Sequence, residues 1–395
     1  DLDLYLVSGS NEFNKESKYY TDRLLINDGQ GNFSIANNKL PIISASGSVV
    51  VATDFDNDGF TDLFVGGRTP YSQYPNPEKS FLLKNENGVL INVTDTMAPE
   101  LKYIGMVTSA VWADIDLDGY DDLIVVGELM PITIFKNNKT NFKKVENTGV
   151  DSLSGMWESI IKTDVDNDGD LDFIVGNLGA NNFYQPSTER PVTIIAKDFD
   201  NNGTLDPVMF AYFKDSFNNP FYKSFPVNFW GDLNGQSPIF RAKYNSFKSY
   251  SKATIASIFK DDELLGATKL TGNYDKSIVL ENLGNGQFRH KALPNEVQIA
   301  PINGILNLDF DEDQKADILM VGNNFGNEVF IGRYDAFNGA LLKNDSNGNF
   351  EFVPTIDSGF LVSGDAKSIL KVESNATNVP YYIVAQNRYS LRVFQ

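Results

Sequence analysis

The chain has no cysteine and a single histidine among 395 residues. Disulfides, thiolate nucleophiles, thiolate zinc sites and iron–sulfur clusters are thereby excluded. A catalytic triad or a multi-histidine metal site would have only His290 to draw on. Basic residues are in deficit: 33 Lys and Arg stand against 52 Asp and Glu, a formal charge of −19. A nucleic-acid binder needs the opposite balance, because Lys and Arg supply the affinity for phosphates. No apolar run approaches the roughly 18 residues of a membrane helix. Apolar residues are not scarce, however. They make up 42% of the chain, with 29 Phe and 17 Tyr, enough for a core and too many for a disordered segment.

Aspartate is abundant, and it is arranged. The pattern D-x-D-x-[DN]-G-x-x-D recurs, each time beside a short apolar run. It reads Asp54-Phe-Asp56-Asn-Asp58-Gly59-Phe60-Thr-Asp62 before Leu63-Phe-Val-Gly-Gly67. The second copy is Asp114, Asp116, Asp118, Gly119, Tyr120, Asp122, and the third is Asp164, Asp166, Asp168, Gly169, Asp170, Asp172. The fourth is Asp198, Asp200, Asn202, Gly203, Thr204, Asp206. A fifth is worn: Asp309, Asp311, Asp313, Gln314, Lys315, Asp317. Successive copies start 60, 50, 34 and 111 residues apart. Such periods indicate a solenoid, propeller or array.

Between these loops lie apolar segments ending in Asn/Gly turns: Leu24–Phe33, Phe81–Gly88, Ile278–Phe288 and Leu341–Phe350. Each predicts a hairpin, since Asn and Gly tolerate positive φ. One repeat is then strand, acidic loop, strand, strand, turn, strand. Four antiparallel strands arranged radially give an all-β fold, a β-propeller of four-stranded blades, with seven blades preferred over six. The expected organisation is one propeller over 1–395, forming part of a longer chain. Its opening residues match the tail of an acidic motif without the preceding strand. The first and last strands are expected to share a blade.

The acidic loops have the chemistry of a hard-cation site. Calcium takes six to eight oxygens. Carboxylates at positions 1, 3 and 5 point to one side of the turn, position 7 supplies a backbone carbonyl, and Asp at position 9 closes the shell. The position 7 residues are Phe60, Tyr120, Asp170, Thr204 and Lys315. Aspartate and glycine also favour turns without metal, but repeated copies in phase with strands argue for Ca²⁺. Four loops are complete. The fifth has Gln314 in place of glycine and Lys315 beside the site.

Residues 213–265 break the rhythm and predict a partly helical insertion, within or between blades. From Val208 to Tyr250 there are 13 aromatics in 43 residues. The stretch 251–260 has helical spacing, with Ser251 as a candidate N-cap. Trp230, Arg241, Lys243, Tyr244, Phe247, Lys248 and Tyr250 form a candidate partner surface, being aromatic and cationic in an acidic chain.

The Asp-rich loop followed by Val-Gly-Gly or Val-Gly-Asn resembles the FG-GAP/VCBS repeats of integrin-like propellers. The run Leu280–Phe288, Ala300–Ile305, Val321–Glu328 and Gly332–Gly339 is similar to the C-terminal propeller of Bacteroidetes VCBS proteins related to cartilage acidic protein, often associated with ASPIC/UnbV domains. The resemblance implies an extracellular or cell-surface protein, anchored at a bacterial outer membrane through a segment outside these residues. It also implies a lipoprotein neighbourhood, and a protein partner such as an outer-membrane transporter complex, or a glycan. The expectation is a non-catalytic, calcium-stabilised binding or assembly module. The alternative is a polysaccharide lyase-like enzyme on the same scaffold, using Tyr244 with Arg241.

Overall fold

The computed structural model describes residues 2–14, 17–216, 218, 220–329, 331–345, 347–374 and 379–395; Asp1, which opens the partial motif, lies outside them. Among the described residues the strands form seven antiparallel sheets. Blade one is Leu4–Leu6, Arg23–Asn27 and Phe33–Ile35. Blade two is Gly47–Thr53, Asp62–Gly67, Phe81–Glu86 and Val89–Asn92. Blade three is Met106–Ala113, Asp122–Pro131, Thr133–Asn137 and Phe142–Lys144, with Ser154–Met156 added along the far end of its long second strand. Blade four is Ser159–Thr163, Asp172–Gly176, Ile278–Asn282 and Phe288–Ala292. Blade five is Ile302–Leu308, Asp317–Gly322, Ala340–Asn344 and Phe350–Val353, and blade six is Ala366–Val372, Tyr381–Gln386 and Arg392–Phe394.

The inner strands of blades two to six neighbour one another in that order. All six blades contribute residues to one central cavity, blade one through Gly9, Ser10 and Asn11. The seventh sheet, Val192–Ala196, Val208–Lys214, Tyr222–Pro226 and Thr268–Gly272, lies off the ring. It is inserted between the second and third strands of blade four, which pair directly through Phe173 with Leu280. Six of the seven sheets thus stand at radial positions around the cavity, and the seventh is carried outside them.

The second strands of blades two to five are buried on both faces, wedged between neighbouring blades. Asp62–Gly67 and Asp317–Gly322 are buried at every residue. This is why these runs are uniformly apolar rather than alternating. The glycines that close them have a steric reason. A Cβ on Gly66 would stand 2.6 Å from Val107 Cγ1, and one on Gly176 would stand 2.4 Å from Ile302 O. Large aromatics fill the wedge between blades: Phe55 of blade two stacks on Trp112 of blade three with centroids 6.1 Å apart.

Two expectations need correction. The ends of the chain do not share a blade: Leu4–Leu6 pairs with Arg23–Asn27, and Ala366–Val372 with Tyr381–Gln386. Each end finds a hairpin partner nearby in sequence, which costs less loop entropy than closure across the whole chain. In the aromatic segment the helices are Trp230–Gln236, Pro238–Lys243, Phe247–Tyr250 and Ile255–Ile258. Ser251 is the C-cap of the third, and Thr254 caps the fourth through a capping box with Ser257.

Candidate metal centres

Each acidic loop is built by its own hydrogen bonds. At position 1, Asp54 accepts from the backbone N–H groups of Asp58 (3.0 Å) and Gly59 (2.8 Å). Asp114, Asp198 and Asp309 repeat both bonds, while Asp164 takes Asn167 and Gly169. At position 5, Asp58, Asp118, Asp168, Asn202 and Asp313 accept from the N–H of Phe60, Tyr120, Asp170, Thr204 and Lys315. Two residues per loop take left-handed backbone. One is at position 4: Asn57, Leu117, Asn167, Asn201 and Glu312. The other is at position 6, glycine in four loops and Gln314 (φ 68°) in the fifth. The fifth loop therefore keeps the turn without its glycine.

Position 9 is the structural anchor. Asp62 is fully buried; one oxygen accepts from Phe55 N at 3.1 Å and the other from Asn85 N at 2.7 Å. Asp122, Asp172 and Asp317 do the same with the Asn that ends their third strand, Asn137, Asn282 and Asn344. That asparagine has a second task, which sequence reasoning missed. Asn137 Nδ2 donates to Phe55 O at 2.7 Å, Asn282 Nδ2 to Ile115 O at 2.9 Å, and Asn344 Nδ2 to Val165 O at 2.8 Å. Each ties its blade to the acidic loop of the blade before. The signal is the recurring apolar-x-Asn at 85, 137, 282 and 344, which by itself predicts only a turn.

The carboxylates converge. Oxygens of Asp54, Asp56 and Asp58 lie within 4.8 Å of one another, as do those of Asp114, Asp116 and Asp122 and of Asp164, Asp166 and Asp172. Asp198, Asp200 and Asp206, and Asp309, Asp311 and Asp317, make the other two clusters. Each can hold a metal ion. The fit to a hard cation rests on buried carboxylate oxygens with no hydrogen-bond partner, at Asp56, Asp166, Asp170 and Asp206. Burial, more than neighbouring charge, pushes Asp62 and Asp206 up to about 6 and Asp122 and Asp172 to about 7, against opposing backbone hydrogen bonds. Burial also drives the Asp170 carboxyl to about 6.

The clusters differ in what already neutralises them. Lys84 reaches Asp56, Lys136 reaches Asp116, and Lys343 reaches Asp311. In the fifth loop Lys315 also pairs with Asp313 at 3.0 Å. The third loop has Glu281 where loops one, two and five have lysine, and Glu281 is turned to Arg289 at 2.5 Å. Asp170 adds a further carboxyl there. The fourth loop lies on the inserted sheet and has Ser237 Oγ on Asp200 at 3.1 Å.

The candidate partner surface does not assemble as expected. Tyr244 is in the core of the insertion, 8% exposed, with its hydroxyl 2.8 Å from Ser257 Oγ. It packs there because Phe240, Ile258 and Phe259 form an apolar cluster that its ring completes. Tyr244 is therefore not placed to serve with Arg241 as a base. Lys243 pairs with Glu263 at 2.7 Å. Trp230 and Tyr250 are half-buried, donating to Tyr244 O and Asn228 O. Phe247, Arg241 and Lys248 remain exposed.

Fold and site together define an all-β protein of radial blades with Asp-rich loops whose carboxylates can hold a metal ion. The family profile described as FG-GAP-like repeat matches residues 1–65 and 114–175, and the chain is similar to such repeats there. No curated protein matches. Among solved structures, the biofilm matrix protein Bap1 of V. cholerae is similar at 10% identity and a TM-score of 0.33, over 94% of this chain and 72% of that one. A rhamnogalacturonan lyase of Bacillus licheniformis is similar at 12% identity and a TM-score of 0.29, over 98% and 66%. Likeness at this level carries no argument about function. Among the described residues no helix is long and apolar enough to cross a membrane.

Proposed function

We propose that the chain is a calcium-stabilised binding or assembly module that acts outside the cytoplasm and catalyses no reaction. The observation that carries this reading is the set of buried, unpartnered carboxylate oxygens in converging loops. Leaving such groups unpaired is costly, and a divalent cation compensates them. Affinities of about 10⁻⁴–10⁻³ M match calcium levels outside cells. At millimolar calcium each site then adds roughly 0.4–1.4 kcal/mol. Five ions would bring the formal charge from −19 to −9.

The partner-facing element in this reading is the insertion, whose exposed Phe221, Phe247, Arg241 and Lys248 suit a surface protein or an anionic glycan. Kinship with Bacteroidetes VCBS surface proteins, and a place beside an outer-membrane transporter, belong to the same proposal; their support is the Leu280–Phe288 and Val321–Gly339 motifs. Calcium titration calorimetry and thermal melting with and without EDTA test the core claim. Calcium binding with a lower melting point in EDTA is expected. No bound calcium and an unchanged melt would overturn it.

A further inference from the structure

The inner strands of blades two, three, five and six each bulge at one residue: Ser48, Thr108, Asn303 and Lys367. A bulge re-aims a side chain, and here all four line a central cavity of about 650 Å³. Glu158 holds the same position in blade four, because Ser159 faces Gly176 as Val49 faces Gly66.

Three of these side chains hold the ring together. Ser48 Oγ donates to Val107 O at 2.6 Å, Thr108 Oγ1 to Trp157 O at 2.7 Å, and Asn303 Nδ2 to Ala366 O at 2.8 Å. A carboxylate has no proton for such a bond. In blade four Ser159 makes it instead, Oγ to Ile302 O at 2.7 Å. Glu158 is thereby freed from the ring, and among the described residues its carboxylate makes no hydrogen bond or ion pair. The charges around it are Arg68, Glu128 and Lys367. Both cations have partners of their own. Arg68 is 3.2 Å from Glu128, which also accepts from Tyr74, and Lys367 is 2.8 Å from Asp365. The uncompensated group in the cavity is the Glu158 carboxylate.

We propose that this cavity binds a small polar molecule through a primary ammonium group that takes Glu158 as its counter-ion. A single carboxylate is too few oxygens for calcium, and an anion would meet Glu158 with both cations already engaged. The remaining wall is hydroxyls, amides and glycines, with no aromatic ring, which suits a hydrophilic body such as an amino sugar or a free amino acid. Burial raises the Glu158 carboxyl to about 7, against the pull of Arg68 and Lys367, so ammonium binding near neutral pH also displaces protons. The site uses none of the acidic loops and does not depend on the calcium reading.

The test is calorimetry on the 395-residue chain in calcium, near pH 7, in two buffers of different ionisation heat. Glucosamine, glucose and glycine are the probes. Glucosamine or glycine should bind at least about tenfold more tightly than glucose, the loss typical of removing a charged hydrogen bond, and with proton release. Stronger binding of glucosamine than of glycine identifies the amino sugar; the reverse identifies the amino acid. Glu158→Gln should remove the advantage without lowering the melting point, whereas Ser159→Ala should lower the melting point and keep it. Equal affinity for glucose and the amines, no binding by either amine, or full binding by Glu158→Gln overturns the proposal.

Discussion

At the scale of single residues, identical motifs are made unequal by one neighbour. In loops one, two and five a lysine stands against the position 3 aspartate; in loop three Glu281 takes that place. Loop three therefore depends most on a bound cation. Asp166→Ala should cost more calcium-dependent stability than Asp311→Ala, seen as the larger loss of the melting shift between calcium and EDTA; equal or reversed losses would refute the ranking. The asparagine ties yield a second expectation. Asn137 is buried and bonded to two carbonyls, Phe55 O in blade two and Asp121 O at 3.1 Å. Asn85 Nδ2 reaches only Thr61 O, inside its own blade. Asn137→Ala should destabilise by about 1–3 kcal/mol in urea unfolding, and Asn85→Ala by less. The convergence of the aspartates was legible in the sequence because their alternate spacing puts them on one side of the turn. The asparagine role was not, because a strand-end Asn before a turn has a sufficient local explanation, and the carbonyl it ties is 82 residues away.

At the scale of the element, the acidic loop is a turn with two left-handed residues whose carboxylates converge closely enough to hold a metal ion. Gln314 holds φ 68° where the other loops have glycine. Gln314→Gly should relieve this strain and raise stability by about 0.5–1 kcal/mol, measured in EDTA so that calcium does not contribute. The loops also set a pH dependence. Burial pushes the position 9 carboxyls of Asp62 and Asp206 up to about 6 and those of Asp122 and Asp172 to about 7, above the usual value near 3.8, and raises that of Asp317 as well. Between pH 4 and 7 the folded state consequently binds more protons than the unfolded state. Stability falls as pH rises through that window and is greatest below it. In EDTA the melting temperature should drop between pH 5 and pH 8. With saturating calcium the drop should shrink or reverse, since the ion replaces the protons. A melting temperature in EDTA that climbs over the same range would contradict the sign.

At the scale of the whole molecule, the repeat pattern revealed the blades but not which of them stands in the ring. The Asp198 loop has the same motif as the others, yet it lies on a sheet inserted into blade four, because Phe173 and Leu280 pair directly across the gap. Spacing along the chain cannot distinguish a radial blade from one carried on a loop; the shorter 34-residue interval before Asp198 and the 111 after it were the only trace. The insertion has its own core, in which Phe210, Leu233, Phe240 and Phe259 pack together. It touches the ring through a smaller patch, Ile194 against Met106 and Leu129. Its two ends are adjacent, since Val192 pairs with Gly272. Residues 192–272 should therefore be removable with a short Gly/Ser bridge between Pro191 and Asn273. Asn273 and Tyr274 stay behind and keep their bonds to Ser154 O at 2.8 and 3.0 Å. The shortened chain should unfold in one cooperative step at a lower temperature, reflecting exposure of Met106 and Leu129, and it should still melt earlier in EDTA through the four loops of the ring. If surface partners are captured by the insertion, capture should vanish in this variant. If instead the shortened chain fails to fold, the inserted sheet is part of the ring's own stability and the division drawn here is wrong.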